Sequence, residues 1–599
     1  QLPGNDNTFL GYISNGLAGF PRIDDPGAIN GDGYDPLGPA SLAFYQNFQR
    51  TNRAIGSLQT NWRPAGWLRV TGIAGFDQST RFDTQYLPPE RVDLDQETRE
   101  GYRTANRFLF STYTAQATAT ADFALTEALR STTTLSFQYQ QEGIDGVRGT
   151  GFRIVAGTGS LEGTVSRPSV GEDYFDNRLA GGIVQQQLAW RDRLFLSLGV
   201  RGDDNSAFGE NFTTVYYPTA QLSWVASEQG WFPRLPGVSS VRLRGAYGRS
   251  GLRPGALDAL NYFDPVPARV RGQDVAAITV GGLGDPNLRP EITTEIEGGA
   301  DVTLFGDRVS VNATGYNRRS KDALVRRVVP PSVGVTRTRF ENVGTVRNLG
   351  VELLGNVRAL DRRNAQLDFT LNYSYNRPEL LSLAQGVDPI LLTANGSQRV
   401  VPGYAPGAYW GRRITGYETS TDGRLVSEVQ YADTAEYLGD VFPRTLTSLQ
   451  TTVSLFRWLR ASALLDYRGG HKQYNASEDF RCGIGRCRGV NDPSAPLALQ
   501  ARSVASLVDG EYAGWIEDAS FVRFREASLT FTLPERLAGR LARARGVSLT
   551  LAGNNLAVWT DYSGVDPEVN SDAQSNFIQS DFLSQAPIRR WSARFNVNF

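Results

Sequence analysis

Histidine, cysteine and methionine are nearly absent from the sequence, which has one His, two Cys and no Met among 599 residues. Because His471 is the only histidine, neither a nucleophilic triad nor a histidine-based metal site can be assembled. We therefore predict that the chain is not an enzyme and has no catalytic residue, metal site or cofactor. Because no Met is present, we also expect the chain to be part of a longer protein.

Long apolar runs are missing as well. Hydrophobic residues make up 40% of the chain and charged residues 21%, and no stretch approaches the roughly 18 apolar residues of a membrane-spanning helix. This excludes a helical membrane protein. It does not exclude a transmembrane β-barrel, whose alternating strands have the average hydropathy of a soluble protein. The formal net charge of -1 gives no indication of nucleic-acid binding.

The two cysteines, Cys482 and Cys487, stand close together without a histidine or a third cysteine beside them. Two thiols alone make a poor zinc site. We predict a short local disulfide, formed in an oxidising compartment. A redox-active pair is the alternative.

Period-two alternation recurs along the chain and is clearest at its end. Apolar residues occupy one face of the last predicted strand, whereas Arg, Ser and Asn occupy the other; the apolar set is Trp591, Ala593, Phe595, Val597 and Phe599. A soluble sandwich could show the same alternation. We favour lipid on the apolar face because the alternating segments are about 10–14 residues long, the length of a tilted membrane-spanning strand. The terminal Phe599 resembles the signal that outer-membrane assembly machinery reads, and it also completes the apolar face.

Short and long connections alternate between the predicted strands. Tight turns are predicted near residues 63–66, 191–193, 305–308, 360–363 and 456–458. Long connections are predicted at about 1–50, 79–103, 144–179, 251–289, 321–343, 378–440, 472–513 and 560–584. This alternation is typical of an outer-membrane barrel with short periplasmic turns and long extracellular loops.

The predicted fold is all-β, a transmembrane antiparallel β-barrel that occupies residues 1–599 as a single domain. About 17 strands are predicted in this chain. Closed bacterial barrels have even strand numbers, so an odd number of strands must precede Gln1. Five would give about 22, the size of the plugged outer-membrane transporters. We expect no N-terminal plug within this chain.

Five sequence motifs occur in order over roughly residues 210–599. They are Tyr217–Trp224 with Arg242–Gly251, Asp285–Glu291, Asn342–Glu352, Glu517–Phe524, and Gly553–Leu556 with Tyr562–Glu568. In this order they resemble the SusC/RagA branch of the TonB-dependent transporters. The resemblance is weaker over residues 51–204.

The resemblance implies a barrel of 22 strands in the outer membrane, surrounding an N-terminal plug. It also implies a TonB box that couples transport to the proton-motive force, and a SusD-like surface lipoprotein as the partner that covers the barrel. The expected function is the active import of a large nutrient, an oligosaccharide or a peptide. Uptake of a siderophore or a cobalamin-type chelate is one alternative, and a surface structural barrel that transports nothing is another.

Aromatic residues are concentrated in Pro402–Gly411, within the longest predicted connection. Tyr404, Tyr409 and Trp410 could stack on sugar rings, since aromatic faces offer a broad apolar area with a polar edge. We name them as candidate substrate contacts. The alternative is that they pack this connection onto its neighbours.

Overall fold

The computed structural model describes the chain except for residues 1–43, 90–98, 156, 208–213, 256–257, 286, 329–337, 343, 384–386, 394, 572–577 and 599. Most of the predicted connection 1–50 therefore lies outside the described residues, and so does Phe599.

Seventeen strands form one antiparallel sheet in which each strand pairs with the next along the chain. This confirms the all-β fold and the predicted strand number. The strands are β1 Gln46–Ala65, β2 Leu68–Leu87, β3 Tyr102–Thr126, β4 Leu129–Ile154, β5 Thr164–Trp190, β6 Leu194–Asn205, β7 Val215–Val225, β8 Val238–Leu252, β9 Glu291–Leu304, β10 Val309–Lys321, β11 Gly344–Arg362, β12 Ala365–Leu383, β13 Thr445–Leu455, β14 Leu459–Gly469, β15 Phe521–Leu533, β16 Gly546–Thr560 and β17 Arg590–Asn598. Within the described part of the chain, β1 pairs only with β2, and β17 only with β16.

The outer face of the sheet carries an apolar band bordered by aromatic side chains. On β3 the band runs from Tyr113 to Phe123, each 42% exposed, with alanine at every second position between them. Ten residue steps of about 3.4 Å along a strand tilted by about 40° give a height of about 25 Å. That height matches the hydrocarbon layer that a membrane barrel spans.

Tight turns join the strands at one end of the sheet, as predicted. Several need left-handed backbone, with positive φ at Arg191 and Asp192, at Phe305 and Asp307, and at Phe456 and Arg457. Aromatic rings border the apolar band at this end, in the pairs Trp67–Phe123, Trp224–Trp231 and Phe456–Trp458. Following the rule for outer-membrane barrels, we take this end as periplasmic.

The strands β1 to β5 are longer than predicted, with 20 to 27 residues each. The predicted connections 79–103 and 144–179 are correspondingly too long, because β2 continues to Leu87, β4 ends at Ile154 and β5 begins at Thr164. Above the apolar band the outward face mixes polar residues with isolated apolar ones such as Leu109, Val147 and Tyr174, so the regular sequence alternation ends there. The ladder of backbone hydrogen bonds continues.

The other long connections contain secondary structure of their own. Hairpins lie in the predicted connections 251–289 and 321–343, formed by Tyr262–Val270 with Gln273–Gly282 and by Leu324–Val328 with Thr338–Asn342. Among the described residues, four α-helices follow later in the chain: α1 Ala476–Gly483, α2 Arg488–Asn491, α3 Leu497–Val504 and, in the short connection between β15 and β16, α4 Glu535–Ala542. Of the helices that the structure describes, none has the length and apolarity needed to cross a membrane.

Candidate functional site

Three neighbouring connections at the long-loop end fold together into one unit, which we call the cap. They are residues 384–444 between β12 and β13, residues 470–520 between β14 and β15, and residues 561–589 between β16 and β17. Short strands within the cap are Ile390–Leu391, Gln398–Val400, Ala408–Gly411, Ile414–Thr419, Val426–Tyr431, Glu436–Gly439, Lys472–Tyr474 and Ile516–Asp518. The predicted connections 378–440, 472–513 and 560–584 correspond to these segments with shifted ends.

Tyr409 lies at the point where the three connections meet. Its side chain is completely buried. The Tyr409 hydroxyl donates to the Gln579 carbonyl at 2.7 Å and accepts from the Tyr474 backbone N–H at 3.2 Å. One side chain therefore joins a residue of each connection, and buried hydrogen bonds of this kind are costly to remove.

A second junction links α1 to the 561–589 connection. The Ser477 backbone N–H donates to the Asp581 carboxylate at 3.1 Å, and the Ser477 hydroxyl donates to the Asp581 carbonyl at 2.7 Å. The Tyr562 hydroxyl donates to the same carboxylate at 2.7 Å. Burial raises the pKa of Asp581 above its ordinary value, while the hydrogen bonds from Tyr562 and Ser477 partly offset this effect.

The helices of the cap pack around the two cysteines. Cys482 and Cys487 are joined by a disulfide and pack against Trp515, which is also buried. The Trp515 indole N–H donates to Ser506 at 2.7 Å, and the Arg502 guanidinium lies over the Trp515 ring. Glu478 lies near both sulfur atoms, but disulfide sulfurs are not thiolates and offer a metal ion no ligand.

A buried network of charges fixes the cap to the barrel wall. The side chain of Arg523 on β15 is 3% exposed and lies 2.7 Å from Asp566 and 2.9 Å from Glu568 of the 561–589 connection. Arg525 also contacts Glu568, and it lies 2.8 Å from Asp466 on β14. We call these five residues the Arg523 network.

The Arg523 network lies on the inner face of the barrel. Asp466 alternates along β14 with Leu465 and Tyr467, which are exposed on the outer, apolar face. Asp466 pairs across the sheet with Arg523, so both point inward. The carboxylates that reach Arg523 therefore come from a connection that folds into the mouth of the barrel.

The Arg523 network makes the cap sensitive to acid. Burial alone would raise the pKa of Glu568, but a hydrogen bond from Arg525 and the charges of Arg468, Arg525 and Arg523 hold it below the ordinary value of 4.5. A lowered carboxylate pKa stabilises the folded state fully above pH 4.5, and this contribution is lost as the pH falls through the folded-state value.

We therefore expect backbone amide exchange in residues 561–571 to keep its protection from pH 7 down to pH 4.5 and to lose it at lower pH. Hydrogen exchange of the full-length protein, corrected for the intrinsic pH dependence of exchange, would measure this. A Glu568→Gln variant is the control, since it should lack the transition. Loss of protection between pH 7 and pH 5 would show that protonation of Glu568 does not cause the transition.

His471 adds no acid–base chemistry near neutral pH. Its pKa is lowered to about 4, chiefly by burial and also by the charge of Arg468, while Asp518 and Glu568 partly oppose this effect. The imidazole is therefore neutral at physiological pH.

The three predicted contact residues have different environments. Tyr404 is 38% exposed, Trp410 is half-buried and Tyr409 has no exposed surface. Tyr409 is thus not available to a substrate in this conformation, because its ring and hydroxyl hold the cap together. Tyr404 and Trp410 pack edge to face with ring centroids 4.9 Å apart.

Two residues of this aromatic cluster were not predicted. Tyr437 packs against Tyr404 at 4.8 Å and against Trp410 at 6.0 Å, and the Arg399 guanidinium lies 6.0 Å from the Trp410 ring centroid. The cluster places aromatic faces and one cation at a partly exposed surface. It can stack on a sugar ring or an aromatic side chain and pair with a carboxylate, but it holds no nucleophile.

The sequence motifs come together in the structure. Within the cap, Glu517 accepts hydrogen bonds from the backbone N–H and hydroxyl of Ser563, and Arg523 pairs with Asp566. Elsewhere, the Asn342 side chain donates to the Arg289 carbonyl and accepts from the Arg289 backbone N–H. Residues from separate motifs thus form the contacts that fix the long connections.

The disulfide closes only a very short loop, so its removal should have a local effect. The loop-entropy relation gives about 2 kcal/mol for six residues. We expect Cys482→Ala with Cys487→Ala to speed amide exchange in α1 and α2 while leaving residues 397–411 unchanged. Exchange measured by mass spectrometry would test this, and faster exchange throughout the cap would contradict it.

The chain matches the family model of the TonB dependent receptor-like β-barrel over residues 2–598. A TonB-dependent receptor of Formosa agariphila is 24% identical over 94% of this chain and 61% of its own length. The TonB-dependent receptor SusC of Bacteroides thetaiotaomicron is 21% identical over 64% of this chain and 41% of its own length.

Solved structures give the same fold. The RagAB peptide importer in its closed-closed state superimposes with a TM-score of 0.78 at 18% identity, covering 92% of this chain and 62% of the other. The chain thus spans between 41% and 62% of the length of these relatives. The proteins it resembles include members of the SusC/RagA type. Because the family model matches nearly all its residues, the chain belongs to the TonB-dependent receptor family of outer-membrane β-barrels.

Proposed function

We propose that the full protein imports a large nutrient, an oligosaccharide or a peptide, across the outer membrane with energy from the TonB complex and the proton-motive force. The observation that carries the proposal is the inward fold of the cap. Asp566 and Glu568 reach the inner wall of the barrel at Arg523, so the 561–589 connection lies inside the mouth. We infer that this connection must move before a large solute can pass.

The relatives support the class of cargo. SusC is TonB-dependent by name, and RagAB is described as a peptide importer. We propose by analogy that a SusD-like surface lipoprotein covers the cap and delivers the substrate. The chain itself performs no covalent step: its aromatic cluster binds, and its buried ion pairs hold the cap in place.

We also propose that the sheet belongs to a single barrel domain of about 22 strands. The edge strands β1 and β17 run in the same direction, because an even number of antiparallel steps separates them. Unpaired backbone groups cannot face lipid. An odd number of further strands, about five, would pair both edges and give the even total of bacterial barrels. The full protein would supply these strands and the plug.

Growth of a deletion strain would test the proposed function. A strain lacking the full gene and its complemented parent would be compared on oligosaccharides, on peptides, on a ferric siderophore and on cobalamin, each as the limiting nutrient. A defect confined to an oligosaccharide or a peptide would support the proposal. A growth defect confined to the ferric siderophore or to cobalamin would identify a chelate as the cargo instead. Equal growth of both strains on all four nutrients would indicate a barrel without transport.

Tyr404 should contribute to binding of the nutrient identified in that test. Truncating an exposed aromatic contact costs about 1–2 kcal/mol, so we expect Tyr404→Ala to weaken binding to the full-length protein roughly 5- to 30-fold, as measured by isothermal titration calorimetry. The control is Tyr417→Ala, which removes another exposed aromatic of the cap outside the cluster. Equal losses in both variants, or none in Tyr404→Ala, would remove Tyr404 from the contact surface.

A further inference from the structure

The connection between β15 and β16 contains the α-helix α4, whereas the β7–β8 connection at the same end contains only a single 3-10 turn, Ala226–Glu228. Pro534 accepts the first backbone hydrogen bonds of α4, from Leu537 and Ala538. Arg543 ends the helix in left-handed backbone. The Arg545 N–H then donates to the Asn598 carbonyl at 2.7 Å. The helix is therefore fixed to the wall at both ends.

The helix packs on the outer face of the barrel. Ala538 and Ala544 are buried against Val547 of β16, together with Val597 of β17. Successive side chains of β16 point to opposite faces, so Val547 shares its face with Leu549. Leu549 pairs with Phe595 of β17. Both Leu549 and Phe595 are exposed in the apolar band. The helix α4 thus covers the periplasmic edge of the surface that faces lipid.

The remaining surface of the connection is basic. All four of its arginines are exposed: Arg536, Arg540, Arg543 and Arg545. None of the four makes an ion pair with the residues that the structure describes. Glu535 is the only acidic residue between 534 and 545. Beside the arginines, Leu537 is 45% exposed, so an apolar side chain and four cations lie at one membrane edge.

Arginines also stand at the other tight turns, at Arg191, Arg193, Arg308, Arg363 and Arg457. Most of those turns contain an acidic residue as well, and Arg193 pairs with Glu228, so the 534–545 connection is the more strongly basic. The Arg191 guanidinium lies 5.2 Å from the ring centroid of Trp190 at the border of the apolar band. Cations at the level of lipid headgroups attract anionic lipids, and guanidinium groups bind phosphate through paired hydrogen bonds.

We propose that α4 and its four arginines form a binding site for anionic phospholipid headgroups, of the phosphatidylglycerol type, in the periplasmic leaflet. The helix lies in the membrane interface with Leu537 toward the acyl chains and the arginines on the phosphates. The site contributes to lipid anchoring of the barrel edge formed by β15, β16 and β17. It does not depend on which nutrient the protein imports.

Lipid titration of the purified full-length protein in detergent, followed by native mass spectrometry, tests the proposal. The probes are phosphatidylglycerol and phosphatidylcholine with identical acyl chains. We expect the wild type to bind phosphatidylglycerol at least tenfold more tightly at 50 mM salt. A fourfold Arg→Gln variant at positions 536, 540, 543 and 545 should reduce that preference to less than threefold.

Two further variants serve as controls. A fourfold Arg→Lys variant at the same positions keeps the charge and should retain most of the preference. The second control replaces four exposed arginines at the opposite end by Gln and should retain the full preference for phosphatidylglycerol. These arginines are Arg269, Arg271, Arg289 and Arg424. An unchanged preference in the first Gln variant would overturn the proposal. Equal weakening for both lipids, or equal loss in the opposite-end variant, would overturn it as well.

Discussion

Replacing Arg523 by Ala is expected to release the 561–589 connection from the barrel wall at a cost of about 3–5 kcal/mol. The cost is large because Asp566 would stay buried without its counter-ion, and Glu568 would lose one of its three arginine contacts. Arg525 and Arg468 would still neutralise Glu568, at 3.1 Å in the case of Arg468. The uncompensated charge would thus fall on Asp566, which is 5% exposed.

Hydrogen exchange of the full-length protein would measure this release. In Arg523→Ala, amide protection in residues 561–571 should fall by about a hundredfold or more, which corresponds to about 3 kcal/mol. Arg201→Ala is a matched control, since Arg201 pairs with Asp203 at 2.7 Å and contacts Gln138, both within the wall. Equal protection of the cap in both variants would show that the Arg523 network does not hold it.

Replacing Tyr409 by Ala should loosen the whole cap, with an expected loss of about 3–5 kcal/mol. The substitution empties a fully buried site and removes the two hydrogen bonds that link the three connections. Tyr409→Phe keeps the ring and loses only the hydroxyl, so its cost should be about 1–3 kcal/mol.

Limited proteolysis and hydrogen exchange would distinguish a structural role of Tyr409 from substrate contact. We expect Tyr409→Ala to increase exchange in all three connections before any nutrient is added. Tyr404→Ala is the neighbouring control and should leave exchange of the free protein unchanged, because its ring is partly exposed. If Tyr409→Ala weakened only nutrient binding and left the free cap intact, Tyr409 would be a contact residue as first predicted.

The sequence allowed the strand number, and the end of the sheet that carries the tight turns, to be predicted because both depend on local patterns. Period-two alternation marks each strand where it crosses lipid, and left-handed turns mark one end. The lengths of β1 to β5 could not be predicted, since above the apolar band polar and apolar residues mix on the outward face and the regular alternation that marks a strand disappears. The backbone ladder that continues there leaves no compositional signal.

The cap was less predictable, because its contacts join residues that are distant in the chain. Arg523 and Asp566 are 43 residues apart, yet each lies in a motif that carries the family resemblance. That coincidence is a signal that could have pointed to their pairing. Tyr404 and Tyr409 look equivalent in sequence, and only tertiary packing separates the exposed ring from the buried one. The helices α1 to α3 within the predicted connection 472–513 were not predicted, because helices of four to eight residues are too short to give a clear periodic pattern.

Active import is tested most directly by the initial rate of uptake of the labelled oligosaccharide or peptide. This rate would be measured in complemented and deletion cells, each with and without a protonophore. The account predicts rapid uptake only in complemented cells without the protonophore. Collapse of the proton-motive force should reduce the rate to the level of the deletion strain. Uptake by complemented cells that persists at full rate in the protonophore, or equal uptake in both strains, would contradict it.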